Sequence, residues 1–228
     1  MLKFDPHLPF DDPIFRSLMQ LHTWLTFFAA AWLISLSPGA GAISCMAAGI
    51  RFGYRRALWN IVGLQLGIQF LLCIAAAGLG AIIAASSTAF GAVKWIGALY
   101  LVYLGIQQWR APATAMSAIE PTAGTGDGAP RQLLLRGFMV NATNPKGILF
   151  LLAVLPQFID PLAPQLAQYA ICGATLIVTD TVVMSAYTAF AARVLRMLRG
   201  ERHQRWLNRS FGALFVAAGA VLATFKRA

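Results

Sequence analysis

Asp180, in the segment LIVTDTVVM, is the only acid inside a long apolar run of this 228-residue chain, and Lys146, in NATNPKGILFL, is a cation inside another. A charge at the centre of a bilayer costs about 2.5–3.5 kcal/mol on insertion scales, so it faces a cavity or a partner. A carboxylate there can take up a proton or a substrate amine. The alternative for Asp180 is a structural ion pair with Lys146 that packs two halves of the chain together. Lys146 has an alternative of its own, because its long apolar stem allows the ammonium to snorkel.

Two backbone breaks lie close to these charges in sequence or in depth: ISLSPGAGAIS, residues 34–44, and NATNPKG, residues 141–147. Proline in a helix removes a donor and clashes with the carbonyl four residues earlier, which frees the carbonyls of Ile34 and Asn141. In hydrocarbon such groups cost several kcal/mol unless protein or water covers them. Ser37-Pro38 and Asn144-Pro145 each read as a capping residue followed by proline at the first helical position. Each span is therefore expected to be two half-helices, the second beginning near the membrane midplane. Such a helix start presents free N–H groups and about half a positive charge, which suits a carboxylate or another electron-rich oxygen. Gly39 and Gly41 would let a ligand approach the backbone. The alternative is a tolerated kink with the glycines as a packing surface.

Further polar candidates are Gln65 and Gln69, four residues apart on one helix face, together with Asn60 and Asn141. Buried amides of this kind more often join helices than bind substrate, and that reading is kept for Gln69. Trp24, Trp95, Tyr100, Tyr103 and Trp109 read as interface anchors and packing residues. Cys45, Cys73 and Cys172 each stand alone in apolar segments, and His7, His22 and His203 are scattered, so no cofactor, disulfide framework or metal site is expected. There is no HExxH, no GxSxG and no second intramembrane acid beside Asp180, so an enzyme lacks its parts. A structural subunit would need neither a lone buried acid nor paired breaks.

The elements that must hold these residues are membrane helices. The chain is 58% hydrophobic and only 11% charged, with a mean hydropathy of +0.66, whereas a soluble domain carries about 25% charged residues. The apolar residues come in runs long enough to cross a bilayer as helices, not in the alternating segments of a β-barrel. An all-α polytopic protein with six transmembrane helices is expected, at about 21–50, 58–84, 89–109, 135–159, 165–190 and 208–225. Residues 110–131, rich in Ala, Pro, Gly and Thr, read as a linker between two halves.

The net charge of +10 reflects topology, not nucleic-acid binding. Arg51, Arg55 and Arg56, then Arg110, Arg131 and Arg136, then six arginines from Arg193 to Arg209 alternate with two loops lacking Lys and Arg. The positive-inside rule places these three basic segments in the cytoplasm and both termini outside. Pro38 and Pro145 are 107 residues apart, and the same shift carries the second span nearly onto the fifth. With three spans per half, the halves, about 21–109 and 135–225, would be inverted repeats with broken first and fourth helices, an arrangement that points to a transport site. The first eighteen residues lack the pattern of a signal peptide, and Met19 is a candidate translation start.

At SPGAGAI, LVYLGIQQWRA, NATNPKGILFL, LPQF and VTDTVVM the chain resembles the LysE/RhtB family of amino-acid exporters, most closely its homoserine/homoserine lactone efflux branch, from about Met19 to the C-terminus. The resemblance implies a six-helix inner-membrane exporter of small amino acids or their derivatives, driven by the proton gradient. Leucine, lysine or arginine are the alternative substrates, and a homo-oligomer is left open. By position, Ser37, Pro38, Gly39 and Gly41 match the first-helix signature of the family, Asn141, Asn144, Pro145 and Lys146 its fourth-helix signature, and Asp180 its fifth-helix acid. Much of the wider family reads Pro-Gly-Pro-Asn where this chain has Pro38-Gly39-Ala40-Gly41, so an asparagine side chain is missing there.

Overall fold

A computed structural model describes residues 19–85, 87–111, 128–160, 162–191 and 201–224. Among these the regular structure is helical throughout. In chain order the helices are α1 (Leu21–Leu36), α2 (Ala40–Phe52), α3 (Tyr54–Ala85), α4 (Ser87–Arg110), α5 (Pro130–Ala142), α6 (Pro145–Leu149), α7 (Gln165–Ala189) and α8 (Glu201–Thr224). From α6 the chain runs on through a π-helical turn, Phe150–Val154, and a 3₁₀ turn, Leu155–Phe158.

Both expected breaks are present. α1 and α2 meet at 54°, and α5 meets the segment Pro145–Phe158 at 50°. α3, over Tyr54–Gly78, and α7 are each long and apolar enough to cross a membrane, and each bent pair passes the same test as one broken span. α4 and α8 stand in the third and sixth positions. α8 begins at Glu201, seven residues before the expected span, so Arg202, Arg205 and Arg209 are helical and not part of a loop. Arg193, Arg196 and Arg199, most of the 110–131 linker, and residues 1–18 lie outside the described residues.

Glycine sets how closely the helices approach. A Cβ on Gly63 or Gly137 would overlap the facing backbone of α5 or α3, and one on Gly67 would come within 2.7 Å of the Phe138 carbonyl oxygen. α3 and α5 therefore cross backbone to backbone, the small-residue mode by which membrane helices gain dispersion contacts that lipid cannot supply. α4 and α8 pair the same way: Cβ atoms on Gly105 and Gly212 would each lie 2.6 Å from the other's carbonyl oxygen. Gln108 Nε2 also donates to Asn208 Oδ1 at 2.9 Å across that pair. α7 packs against both α1 and α2. Three of its threonines satisfy their hydroxyls on its own backbone, with Thr175, Thr179 and Thr188 each donating four residues back.

Two apolar clusters flank the breaks. One joins Phe27, Leu72, Phe150, Leu155 and Leu176, and the other Cys45, Met46, Ile61, Val183 and Met184. Outside them, α3 turns Leu58, Val62, Leu66, Phe70 and Ile74 outward, and Trp95, Tyr103 and Trp109 are at least half exposed on α4. Such a contiguous apolar exterior is stable against lipid and costly against water, at about 25 cal/mol per Å².

Candidate functional site

The two breaks differ in construction. Asn144 behaves as its sequence suggests: its Oδ1 accepts from the Lys146 backbone N–H at 3.1 Å, and Pro145 opens α6. Ser37 does not. It closes α1, its N–H donating to the Leu33 carbonyl at 3.2 Å, and α2 begins two residues later with Gly39 at its N-cap and no side-chain cap. The expectation that Ser37 caps the second half and Pro38 starts it is therefore corrected. Pro38 lies within the break, and the extended Gly39 precedes the first helical residue, Ala40. The physical reason is that the Ser37 carbonyl is taken by Lys146 Nζ at 2.7 Å, and the first carbonyl to accept within α2 is that of Gly39, from the Ile43 N–H at 3.0 Å.

The carbonyls exposed by the first break are met from the other half of the chain. Lys146 Nζ donates to Ile34 O and to Ser37 O, both at 2.7 Å. The Tyr187 hydroxyl donates to Leu36 O, also at 2.7 Å. Ile34 is the carbonyl that Pro38 was expected to free. At the second break the Asn141 carbonyl accepts from the Asn144 N–H at 3.1 Å, and the Asn141 side chain donates to Leu64 O at 2.8 Å. Lys146 is thus a long-range cap for α1, with its ammonium 6.0 Å from the Phe215 ring centroid.

Asp180 is held differently. Gln65 Nε2 donates to Asp180 Oδ2 at 2.7 Å, and Ser35 lines the same cavity as the carboxyl. Gln65 Oε1 is buried with no partner. The ion pair considered for Asp180 and Lys146 gives way to these separate partners: each charge is satisfied by neutral groups.

Both charges border one cavity of about 60 Å³, large enough for a few water-sized groups on a scale where one needs at least 10–15 Å³. Ser37, Gly39, Gly41, Asn141 and Asn144 also line it. Of the ten residues singled out in the sequence, Gln65, Pro38 and Pro145 are not on its wall, although Gln65 touches Asp180. Its apolar side comes from both clusters, with Ile68, Phe150 and Leu176 from one and Ala42, Leu64 and Met184 from the other. Ser35 was missed in the sequence. Its position two residues before the break was the available signal.

The remaining polar candidates join helices. Gln69 Nε2 donates to the Gly173 carbonyl at 3.2 Å, and Asn60 Nδ2 donates to Ser44 Oγ at 3.1 Å. Trp24 Nε1 donates to Thr175 Oγ1 at 3.1 Å and so ties α1 to α7. Among the described residues no group of three His, Cys, Asp or Glu side chains is placed to hold a metal ion.

A cavity at the junction of two broken helices, bordered by an acid and a cation, is what a membrane translocator requires, and comparison with known proteins agrees. Over 211 residues, 92% of this chain and 100% of the relative, the sequence is 44% identical to the homoserine/homoserine lactone efflux protein of Salmonella typhimurium. It is 40% identical to an uncharacterized membrane protein of Vibrio cholerae, over 91% of this chain and all of that one. It is 30% identical to the leucine efflux protein of an Enterobacter species, over 92% of this chain and 99% of that one. No solved structure matches it. Residues 32–225 match the family described as LysE type translocator, and the chain belongs to that family, a family of membrane transporters and not of enzymes.

Proposed function

We propose that the chain exports small amino acids and their derivatives, of the homoserine and homoserine lactone kind, across the inner membrane in exchange for protons. The observation that carries this reading is the convergence of Asp180, Lys146 and the uncapped start of α2 on one cavity. The free N–H groups of the first turn of α2 would receive the substrate carboxylate, or the acyl oxygens of a lactone. The positive end of the α2 dipole and the nearby Lys146 ammonium favour the same charge. Asp180 would take either a proton or the substrate amine. Occupation by one excludes the other, which is the minimum needed for exchange. The cavity must widen to admit a whole amino acid, and the two bends supply points where half-helices can move.

The wider arrangement proposed is six spans forming one transport unit over residues 19–228, with α4 and α8 as the third and sixth, cytoplasmic arginine-bearing ends and both termini outside. Two inverted repeats are supported by the packing pattern. The second span rests on the broken fourth, the fifth rests on the broken first, and the third pairs with the sixth. Exchanging the halves leaves that pattern unchanged.

Counterflow in proteoliposomes tests the function. Homoserine loaded inside should exchange for labelled homoserine, and an imposed proton gradient should accelerate efflux. Absence of exchange for every amino acid and lactone would refute the exporter reading. A leucine exporter is the second reading, favoured by the apolar cavity wall of Leu64, Ile68, Phe150 and Met184. It predicts that leucine outcompetes homoserine.

A further inference from the structure

We infer that Gln65, Asp180 and Ser35 form a three-oxygen seat for a primary ammonium group, so that a free protonated amine is the obligatory feature of the substrate while its acyl end is interchangeable. The inference rests on the exporter reading and deepens it. Its starting point is the Gln65 amide. Gln65 turns its nitrogen to Asp180 at 2.7 Å, the orientation that an ionised carboxylate, which only accepts hydrogen bonds, requires. That orientation leaves Oε1 as the orphan, in a side chain only 9% exposed. A buried acceptor without a donor is costly, and the deficit calls for a donor beside the acid.

The chemistry narrows the donor. Asp180 brings a negative charge and an oxygen, Oδ1, besides the one that Gln65 occupies. Ser35, 4% exposed, lines the same cavity as Asp180, and its hydroxyl oxygen has lone pairs of its own. Asp180 lines the cavity, while Gln65 lies just off its wall behind Asp180, so its oxygen joins the seat only when the cavity widens to admit substrate. An ammonium has three N–H donors, and three oxygens from α1, α3 and α7 match that number. The acyl end meets no comparable ionic demand. Lys146 already donates to two backbone carbonyls, and the start of α2 offers neutral N–H groups that serve a carboxylate, an ester or a lactone alike. Recognition is therefore strict at the amine and permissive at the acyl carbon.

The test uses the intact transporter in proteoliposomes with homoserine, homoserine lactone and N-acetylhomoserine, whose amine is an uncharged amide. Homoserine lactone is expected to compete with labelled homoserine, and N-acetylhomoserine to fail at a hundred-fold excess. Gln65→Met should raise the KM for homoserine and for the lactone by the same factor, about ten-fold or more, because the amine is what they share. Ser35→Ala should raise both by a smaller common factor. Competition by N-acetylhomoserine as strong as that by the lactone would overturn the seat while leaving the exporter reading intact, and this measurement needs no variant. So would an unchanged KM in Gln65→Met, or competition by Na⁺ against homoserine at constant ionic strength, which would make the oxygens a metal-cation site. No exchange of homoserine or any other amino acid by the wild type would remove the exporter reading and the seat together.

Discussion

Replacing Lys146 with methionine removes the ammonium but keeps an unbranched side chain of similar reach. The two bonds it loses, at 2.7 Å each, fall at the short end for charged donors. Hydrogen bonds to charged groups contribute about 1.5–3 kcal/mol each, so the pair is worth about 3–6 kcal/mol. Against this, the variant no longer holds an ammonium at membrane depth, a relief of about 2.5–3.5 kcal/mol. The two terms largely cancel, leaving a net change between about 0.5 kcal/mol of stabilisation and about 3.5 kcal/mol of destabilisation. The thermal midpoint should fall by no more than about 14 °C, at about 2–4 °C per kcal/mol for a chain of this size. Counterflow should fall at least about ten-fold, because Ile34 O and Ser37 O lose their shared donor and the break loses its defined geometry. Lys146→Arg, which keeps the charge and has donors to spare, should retain most of both. Thermal unfolding in detergent and homoserine counterflow measure the two quantities on one preparation. Wild-type counterflow by Lys146→Met would refute the argument that this cap holds the site together. A loss well beyond about 3.5 kcal/mol would refute the cancellation.

Asp180→Asn should leave the protein folded, since an amide still pairs with Gln65, yet abolish acceleration of efflux by a proton gradient; an unchanged response would remove the acid from coupling. Gly137→Ala should destabilise by more than about 3 kcal/mol or prevent folding, because its Cβ meets the Asn60 and Leu64 backbone and not a flexible side chain. Gly78→Ala, with nothing within 4 Å of the new carbon, should instead stabilise α3 by about 0.4–1 kcal/mol; equal thermal shifts for the two would contradict the backbone crossing of α3 and α5. Tyr187→Phe removes the only donor seen on Leu36 O among the described residues and should destabilise by about 0.5–1.5 kcal/mol in thermal unfolding, with a smaller transport defect than Lys146→Met.

The helices, the two breaks and the two charges beside the cavity were all legible in the residue order. Runs of apolar residues too long for a soluble core dictate membrane helices, because only a self-satisfied backbone is stable in lipid. Ser-Pro-Gly and Asn-Pro-Lys dictate interruptions, because proline cannot bond to the preceding turn. Asn144 was read correctly as a cap because N-capping is local: its oxygen reaches a backbone N–H two residues away. Ser37 was misread although its neighbours are similar. Whether a residue closes one helix or opens the next depends on where the chain turns, and Gly39 permits a later start for α2 than Pro38 alone implies.

What sequence order left open was which polar groups meet. Lys146 and Asp180 are 34 residues apart, and nothing local distinguishes an ion pair from two separately satisfied charges. The tertiary structure brings Lys146 to carbonyls 109 and 112 residues away, and Gln65 to an acid 115 residues away. Those pairings follow from packing that lets α3 cross α5 at glycine contact and sets α7 against α1 and α2. Side-chain chemistry and backbone propensity act over a few residues, and so they specify the broken helices. The cavity between them exists only once several helices have docked, because its charged and apolar walls come from α1, α2, α3, α6 and α7, and no one segment contains it.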